Sequence, residues 1–357
     1  MAINGVQIID GDGHLVESLD DMLEYLDPHI QAWVGDEKSA LSMSRRSLFG
    51  TLDGIHFADA ILGRPERERV DPSDERKGSA EDWIQLLDKS GIEQTVLFPT
   101  EGLSLGNIEL PPYAVSVCRA YNDYVAHRYQ EVDRRQHPMA LIPIQDPSAA
   151  ARELHRAVRE LGLIGAMLPC APLPFHLGHE FYWHIYQEAA DLDCVLGIHG
   201  GSNRGLGLGS FSSFVGSHIL HHPIPLMTTL VSYVYHGIWD RWPNLRVAFL
   251  EGGSAWVALV LDRAERDSEF MASPKKSMHD HLASGNILIG CEGVDPTIPY
   301  LATRIGIEPF AYSSDYPHEV DFKSAVHEVE ETLEDEGLTE VQKAAVLGGN
   351  TKRFFRL

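Results

Sequence analysis

The chain of 357 residues is long enough for two ordinary domains or one large α/β barrel, and its 44% hydrophobic and 23% charged content is that of a globular protein. A formal charge of −23 argues against nucleic acid or an anionic membrane surface as partner, whereas a bound metal would reverse the sign locally for an anionic substrate. Four cysteines (Cys118, Cys170, Cys194, Cys291) lack zinc-knuckle or CxxC spacing, and neither a leader nor a membrane-length apolar run is found, so a cytoplasmic protein with reduced thiols is expected.

The first element is Ile8-Ile9-Asp10-Gly11-Asp12-Gly13-His14. Val6, Ile8 and Ile9 are strand formers, and alternation would put Asp10, Asp12 and His14 on one face. A carboxylate and an imidazole two apart, flanked by glycines, suit a divalent metal, although Asp and Gly also simply end strands. Residues 15–79 are polar and irregular, with Arg45-Arg46 and the tract Arg64–Arg69. A loop of this length predicts a lid, a binding loop, a contact with another subunit or a solvated insertion. We expect a lid over one large domain, and a homo-oligomer.

From Ala80 the pattern is regular. Helices are predicted over 81–90, 112–131, 147–161, 180–192, 225–240, 254–270, 296–305, 322–336 and 339–354. Strands are predicted over 94–99, 139–144, 164–168, 194–199, 246–250, 286–289 and 310–313. These strands are continuous apolar runs, as in parallel sheets buried on both faces. With the first strand there are about eight, which predicts an α/β fold of the (β/α)₈ TIM-barrel type with the lid inserted after strand one. An open doubly wound sheet is the alternative, but no GxGxxG follows the first strand. The Gly-rich stretch 200–209 has no Lys-Ser/Thr ending and reads as a barrel loop rather than a phosphate cradle.

In such barrels the chemistry sits at the C-terminal strand ends. Asp12 and His14 fall there on the first strand, His199 on the fifth, Glu251 on the sixth, Glu292 on the seventh and Asp315 on the eighth. Five strands ending in Asp, Glu or His form a metal-ligand inventory. Glu251 alternatively pairs with Arg246 or Arg263, Glu292 stands further from its strand, and His318 is a ligand, a substrate contact or a loop residue. A second group, His218, His221, His222 and His236, borders the helix that leads to the Glu251 strand. Histidines in a helix are usually surface or satisfied core residues, but this position brings His222 and His236 to the barrel mouth.

Asp-Gly-Asp-Gly-His, the strand ending in His199, Asn244-Leu-Arg-Val-Ala-Phe-Leu-Glu251-Gly-Gly253 and Ser313-Ser-Asp315-Tyr-Pro-His318 occur in this order over nearly the whole chain. The set resembles the amidohydrolase-related family, the branch of the amidohydrolase superfamily that includes the aminocarboxymuconate-semialdehyde decarboxylase type. The resemblance implies a (β/α)₈ barrel with a metal held by Asp12, His14, His199 and Asp315, and an activity among hydrolysis, decarboxylation and hydration. It also implies an acid/base histidine in a His-Gly-Gly at the sixth strand, where this chain has Glu251. A Glu transfers protons there only with a shifted pKa, and beside a dication it is more naturally ionised and ligating. With His222 and His236 it would complete a second metal position, as in the family's few non-haem dinuclear iron monooxygenases.

Three functions compete. The first is metal-dependent hydrolysis or decarboxylation of a small organic acid with zinc, manganese or iron, Asp315 and Glu251 moving protons. The second is hydroxylation of a hydrophobic acid at a dinuclear iron or mixed-metal centre. The third is a catalytically dead barrel kept as a partner subunit. Phe49, Phe57, Phe211 and Phe214 are candidate contacts to an apolar part of the substrate, or lid core.

Overall fold

The computed structural model describes residues 5–35, 48–49, 78–211, 214–271, 274–318 and 320–357. Its strands are β1 (Ile8–Leu15), β2 (Ile92–Pro99), β3 (Gln136–Pro138), β4 (Ala140–Leu141), β5 (Gly165–Pro169), β6 (Val195–His199), β7 (Arg246–Phe249), β8 (Ile287–Glu292) and β9 (Phe310–Ser313). Every ladder is parallel: β1-β2-β3 form one run and β4 through β9 the other. β3 and β4 are two pieces of one barrel strand, parted at Met139, whose N–H donates to Leu97 C=O (2.8 Å). The prolines at 138 and 143 explain why this strand is short, because a proline has no N–H to give the ladder.

The two runs close on each other where β9 meets β1. There the Asp315 N–H donates to Asp12 C=O (2.9 Å) and the His14 N–H to Tyr316 C=O (2.8 Å). Eight barrel positions result, and the TIM-barrel expectation holds. Strands β1, β5, β6, β7 and β9 are buried along their whole length, as strands inside a ring of helices must be. That is why the sequence shows apolar runs and not alternation.

Helix boundaries shift from the sequence reading at recognisable places. The helix expected at 112–131 runs Pro111–Val125 and continues as a π-helical turn Ala126–Gln130. The helix expected at 225–240 is Pro223–Tyr235, followed by a separate short piece Ile238–Arg241. The break falls at Gly237, whose φ of 68° lies in the left-handed region that glycine tolerates. A further helix, Phe214–His221, precedes it.

Most of the expected lid, residues 15–79, lies outside the described residues, as does Phe57. The described part packs on the helix Pro111–Val125: Tyr113 OH donates to Leu48 C=O (2.9 Å), and Phe49 is buried edge-on to Tyr121. Among the described residues no helix is long and apolar enough to cross a membrane.

Candidate metal centre

Strand β1 places Asp12 and His14 at the barrel mouth, but not by simple alternation. Its register against β2 slips between Asp10 and Gly13. The one extra residue on β1 lets Asp10 turn beneath the site while Asp12 and His14 face into it. Gly13 is required there, since a Cβ would fall 2.3 Å from the Trp83 ring and 2.7 Å from Thr95 Oγ1. Trp83 closes the other side of the strand and donates its indole N–H to His14 C=O (2.9 Å).

Two histidines are oriented by carbonyls. His14 Nδ1 lies 3.0 Å from Pro99 O and His199 Nδ1 2.9 Å from Gly200 O. A carbonyl only accepts, so both Nδ1 atoms carry the proton and both Nε2 atoms are left with free lone pairs. These Nε2 atoms converge on one carboxylate: Asp12 Oδ1 is 3.7 Å from His14 and 3.6 Å from His199. Asp315 Oδ1 is 3.5 Å from His14 Nε2. Both Asp12 oxygens and both Nε2 atoms are buried without a hydrogen-bond partner. Burial pushes the Asp12 carboxyl up, partly offset by His199, and pushes the His14 imidazole well down, helped by His318 and His199. Buried polar atoms are rarely left unpaired. A neutral imidazole and a desolvated carboxylate sharing one buried focus are what a divalent cation satisfies. The donor set therefore fits a metal.

Asp315 and Glu251 both follow strand ends with left-handed backbone, φ 51° and 54°. That region is uncommon for a residue with a Cβ and marks sites where geometry is imposed. Asp315 is held by His318, whose Nδ1 lies 2.9 Å from its Oδ1 while His318 Nε2 lies 3.1 Å from Thr100 Oγ1. Beneath them Asp10 accepts from the Ser314 N–H (2.9 Å), the Ser314 hydroxyl (2.8 Å), the Thr95 hydroxyl (3.0 Å) and the Asp12 N–H (3.1 Å). Burial lifts its carboxyl to about 6 in spite of these bonds. Sequence reasoning set Asp10 beside Asp12 and assigned it nothing; its partners are two short polar side chains more than 80 residues away, which no local pattern reveals.

Glu251 stands between two groups of histidines. Its Oε2 is 3.5 Å from His199 Nε2, and its Oε1 is 3.1 Å from His222 Nε2 and 3.9 Å from His218 Nε2. His236 does not join them. His222 and His236 flank opposite ends of the helix Pro223–Tyr235, whose 13 residues at 1.5 Å each part them by roughly 20 Å. His236 instead lies ring to ring with His176 (4.5 Å). The pairing with Arg246 is also excluded, because that guanidinium is turned to the Phe354 and Asp193 carbonyls.

A cavity of about 390 Å³ opens over these groups, lined by His218, His222, Glu251, Glu292, Asp315 and Glu328 with Ile219, Pro223 and Val320. Glu328 comes from the helix Phe322–Glu334; burial, then Asp10 and Asp315, raise its carboxyl to about 7. No lysine or arginine lines this cavity among the described residues. Phe211 is partly exposed, and the side chain of Phe214 lies outside the described set.

The family model described as Amidohydrolase matches residues 9–357. Gamma-resorcylate decarboxylase from Polaromonas sp. is 23% identical over 296 residues, which span 77% of this chain and 86% of that protein. The 2-amino-3-carboxymuconate-6-semialdehyde decarboxylase of Dictyostelium discoideum is 24% identical over 280 residues, 77% of this chain and 76% of that one. A solved 5-carboxyvanillate decarboxylase from Novosphingobium aromaticivorans, complexed with manganese and 4-hydroxy-3-methoxy-5-nitrobenzoic acid, aligns with TM-score 0.67 and 20% identity over 99% of this chain and 97% of that one. The monooxygenase alternative draws no support from these relatives, all three of which are decarboxylases.

Proposed function

The chain belongs to the amidohydrolase family, and from that premise we propose that it decarboxylates a small aromatic acid with the help of a divalent metal. The observation that carries this reading is the buried focus of Asp12, His14 and His199, whose ligand atoms have no hydrogen-bond partners. Asp12, His14, His199 and Asp315 would hold the metal. When bound, it supplies the positive charge that polarises a carboxylate or lowers the pKa of water.

The side chains account for the rest. An acid entering the cavity passes Glu251, Glu292 and Glu328 and finds no lysine or arginine among the described residues. Its carboxylate is therefore directed inward to the imidazole-lined end, and its apolar body is left against Ile219, Pro223 and Val320. Decarboxylation balances when the carbon that loses CO₂ keeps the bonding electron pair and receives one proton. Asp315 is the group assigned to that proton, because the Thr100–His318–Asp315 chain of hydrogen bonds links it to a hydroxyl and fixes its Oδ1. The manganese and the aromatic ligand of the Novosphingobium aromaticivorans relative favour manganese and a hydroxylated benzoate as first trials.

The test is protein purified without chelator, assayed for metal content and for CO₂ release from a panel of hydroxybenzoates and unsaturated dicarboxylates. Metal-dependent CO₂ release is expected, abolished by chelator and restored by manganese or zinc. Hydrolysis of an ester or amide of such acids without CO₂ release would overturn decarboxylation and leave the metal centre standing.

A further inference from the structure

We propose that Glu328 decides which acids the cavity accepts: its carboxyl takes a hydrogen bond from a hydroxyl or amino substituent on the substrate ring and turns away a ring that carries a second carboxylate there. The proposal deepens the aromatic-acid reading above and rests on it.

The sequence sets Glu328 apart from the other acids of its helix. On Phe322–Glu334 the buried residues Ala325, Val329 and Thr332 recur at i, i+4 and i+7, the inward stripe of an amphipathic helix. Glu328 stands at i+3 in that stripe, where an apolar side chain belongs, while Glu330, Glu331 and Glu334 are exposed. Burying a carboxyl costs free energy unless something bonds to it, so packing alone does not account for an acid at this position.

The backbone beside it is shaped to receive it. Gly293, just past the strand Ile287–Glu292, has a φ of 54°, and a Cβ there would stand 3.2 Å from Glu328 Cγ. The stem of Glu328 therefore lies in a notch that a glycine leaves open. Glu328 lines the cavity that His222, Glu251 and Asp315 also line. Its Oε2 is buried and has no hydrogen-bond partner. A metal does not satisfy it, because Glu328 is in none of the sets of convergent ligand atoms among the described residues. What enters the cavity is the remaining partner.

Charge fixes the kind of group that fits. Glu251, Glu292 and Asp315 are the other acids of the cavity wall, and no lysine or arginine lines it among the described residues. A carboxyl oxygen accepts from O–H or N–H, whereas a second carboxylate brought to this wall meets like charge. A ring hydroxyl or amino group therefore suits Glu328, and a methoxy group, which only accepts, leaves its oxygen unpaired. Water on Oε2 is the competing explanation, under which hydroxyl and methoxy rings bind alike.

The experiment measures binding to full-length protein in manganese buffer by calorimetry. The ligands are benzoates with a hydroxyl, an amino, a methoxy or a second carboxyl group at each ring position in turn, and CO₂ release is recorded in parallel. In wild type, at the position that faces Glu328, the hydroxyl and amino acids should bind about 10- to 100-fold more tightly than the methoxy acid, the range for a hydrogen bond to a charged group. The dicarboxylate should bind least tightly. Glu328→Ala should abolish the preference for hydroxyl over methoxy, and Glu328→Gln, which presents an N–H and no charge, should raise affinity for the dicarboxylate. Should the alanine variant misfold by circular dichroism, the glutamine variant decides. Equal binding of hydroxyl and methoxy acids to wild type at every position, or a preference that Glu328→Ala keeps, overturns the proposal. The expected preferences without CO₂ release from any acid overturn decarboxylation and leave the Glu328 contact standing. Failure of every acid to bind overturns both.

Discussion

The β1–β9 seam carries Asp12, His14 and Asp315 on backbone that is hydrogen-bonded across the closure of the barrel, while the β6–β7 side carries His218, His221 and His222 on a connecting helix. Under the seam lies a complete second layer: Asp10 with its four donors, Trp83 on the His14 carbonyl, and Pro99 on the His14 ring. The helix-borne histidines have a shallower support, with His218 part-exposed and a glycine, Gly200, as the floor beneath His222. The two sides therefore have different tolerances. A group fixed by strands and by a supporting set of hydrogen bonds is pre-organised before any ligand arrives.

The largest effect should follow from breaking the seam at its centre. Asp12→Asn removes the one carboxylate that both His14 and His199 address. Since a Lewis acid contributes several kcal/mol and 1.4 kcal/mol is tenfold in rate, kcat/KM should fall about 10³-fold with loss of the metal that Asp12, His14, His199 and Asp315 would hold. Retained turnover in metal-replete buffer would show that Asp12 does not hold the metal.

One step out, Asp10→Asn keeps the shape of the second layer and removes its charge. Substitutions at such positions typically cost about 10–100-fold in metal affinity. We expect that loss in a manganese titration, with Ser314→Ala in the same direction and smaller, because it removes only the Ser314 hydroxyl, one of the four donors, and keeps the Ser314 N–H. If Asp10→Asn binds manganese as wild type does, the seam owes its geometry to backbone closure and not to this carboxylate.

How much of this was legible in the sequence follows the same division. Asp12, His14, His199 and Asp315 were readable because each ends an apolar strand, and a barrel brings all strand ends to one rim. His222 is legible from its neighbours, but His236 is not, because the length of the helix Pro223–Tyr235 parts the two histidines. The i, i+3, i+4 spacing of His218, His221 and His222 carries a further signal, that their rings share one face. Thr95, Ser314, Thr100 and Glu328 had none, because their roles depend on contacts between elements far apart in sequence.

The two sides also differ in how much volume they will accept. Gly13→Ala pushes a methyl into the Trp83 ring, and overpacking of this kind costs typically about 1–3 kcal/mol. On the other side, Gly209 has nothing within 4 Å of where its Cβ would be among the described residues. Gly209→Ala should stay within about 0.5 kcal/mol of wild type. Urea denaturation of the pair measures the contrast directly; equal stability of the two variants would mean that the seam yields as readily as the loop.

An effect that shows only as a pH dependence concerns the rim between β1 and β2, where Glu17 accepts from the backbone N–H groups of Thr100 (3.1 Å), Glu101 (2.9 Å) and Gly102 (2.8 Å). Those bonds favour the carboxylate, yet burial outweighs them and raises the carboxyl from 4.5 to about 7. The sign follows from linkage. Between these two values the folded chain binds more protons at Glu17 than the unfolded chain, so its contribution to stability declines as pH rises from about 4.5 to 7 and is constant above. One proton sets a ceiling of about 1.4 kcal/mol per pH unit, and the partial exposure of Glu17 brings the slope below it. Asp10 and Glu328 are raised as well, so the informative quantity is the difference between wild type and Glu17→Gln, in which their contributions cancel. That difference, from urea denaturation between pH 5 and pH 8, should move against wild type as pH rises and level off near 7. A difference that is flat, or that moves in favour of wild type, would show that the three backbone donors outweigh burial at this rim, and that Glu17 is an ionised clamp on the end of β2 throughout this range.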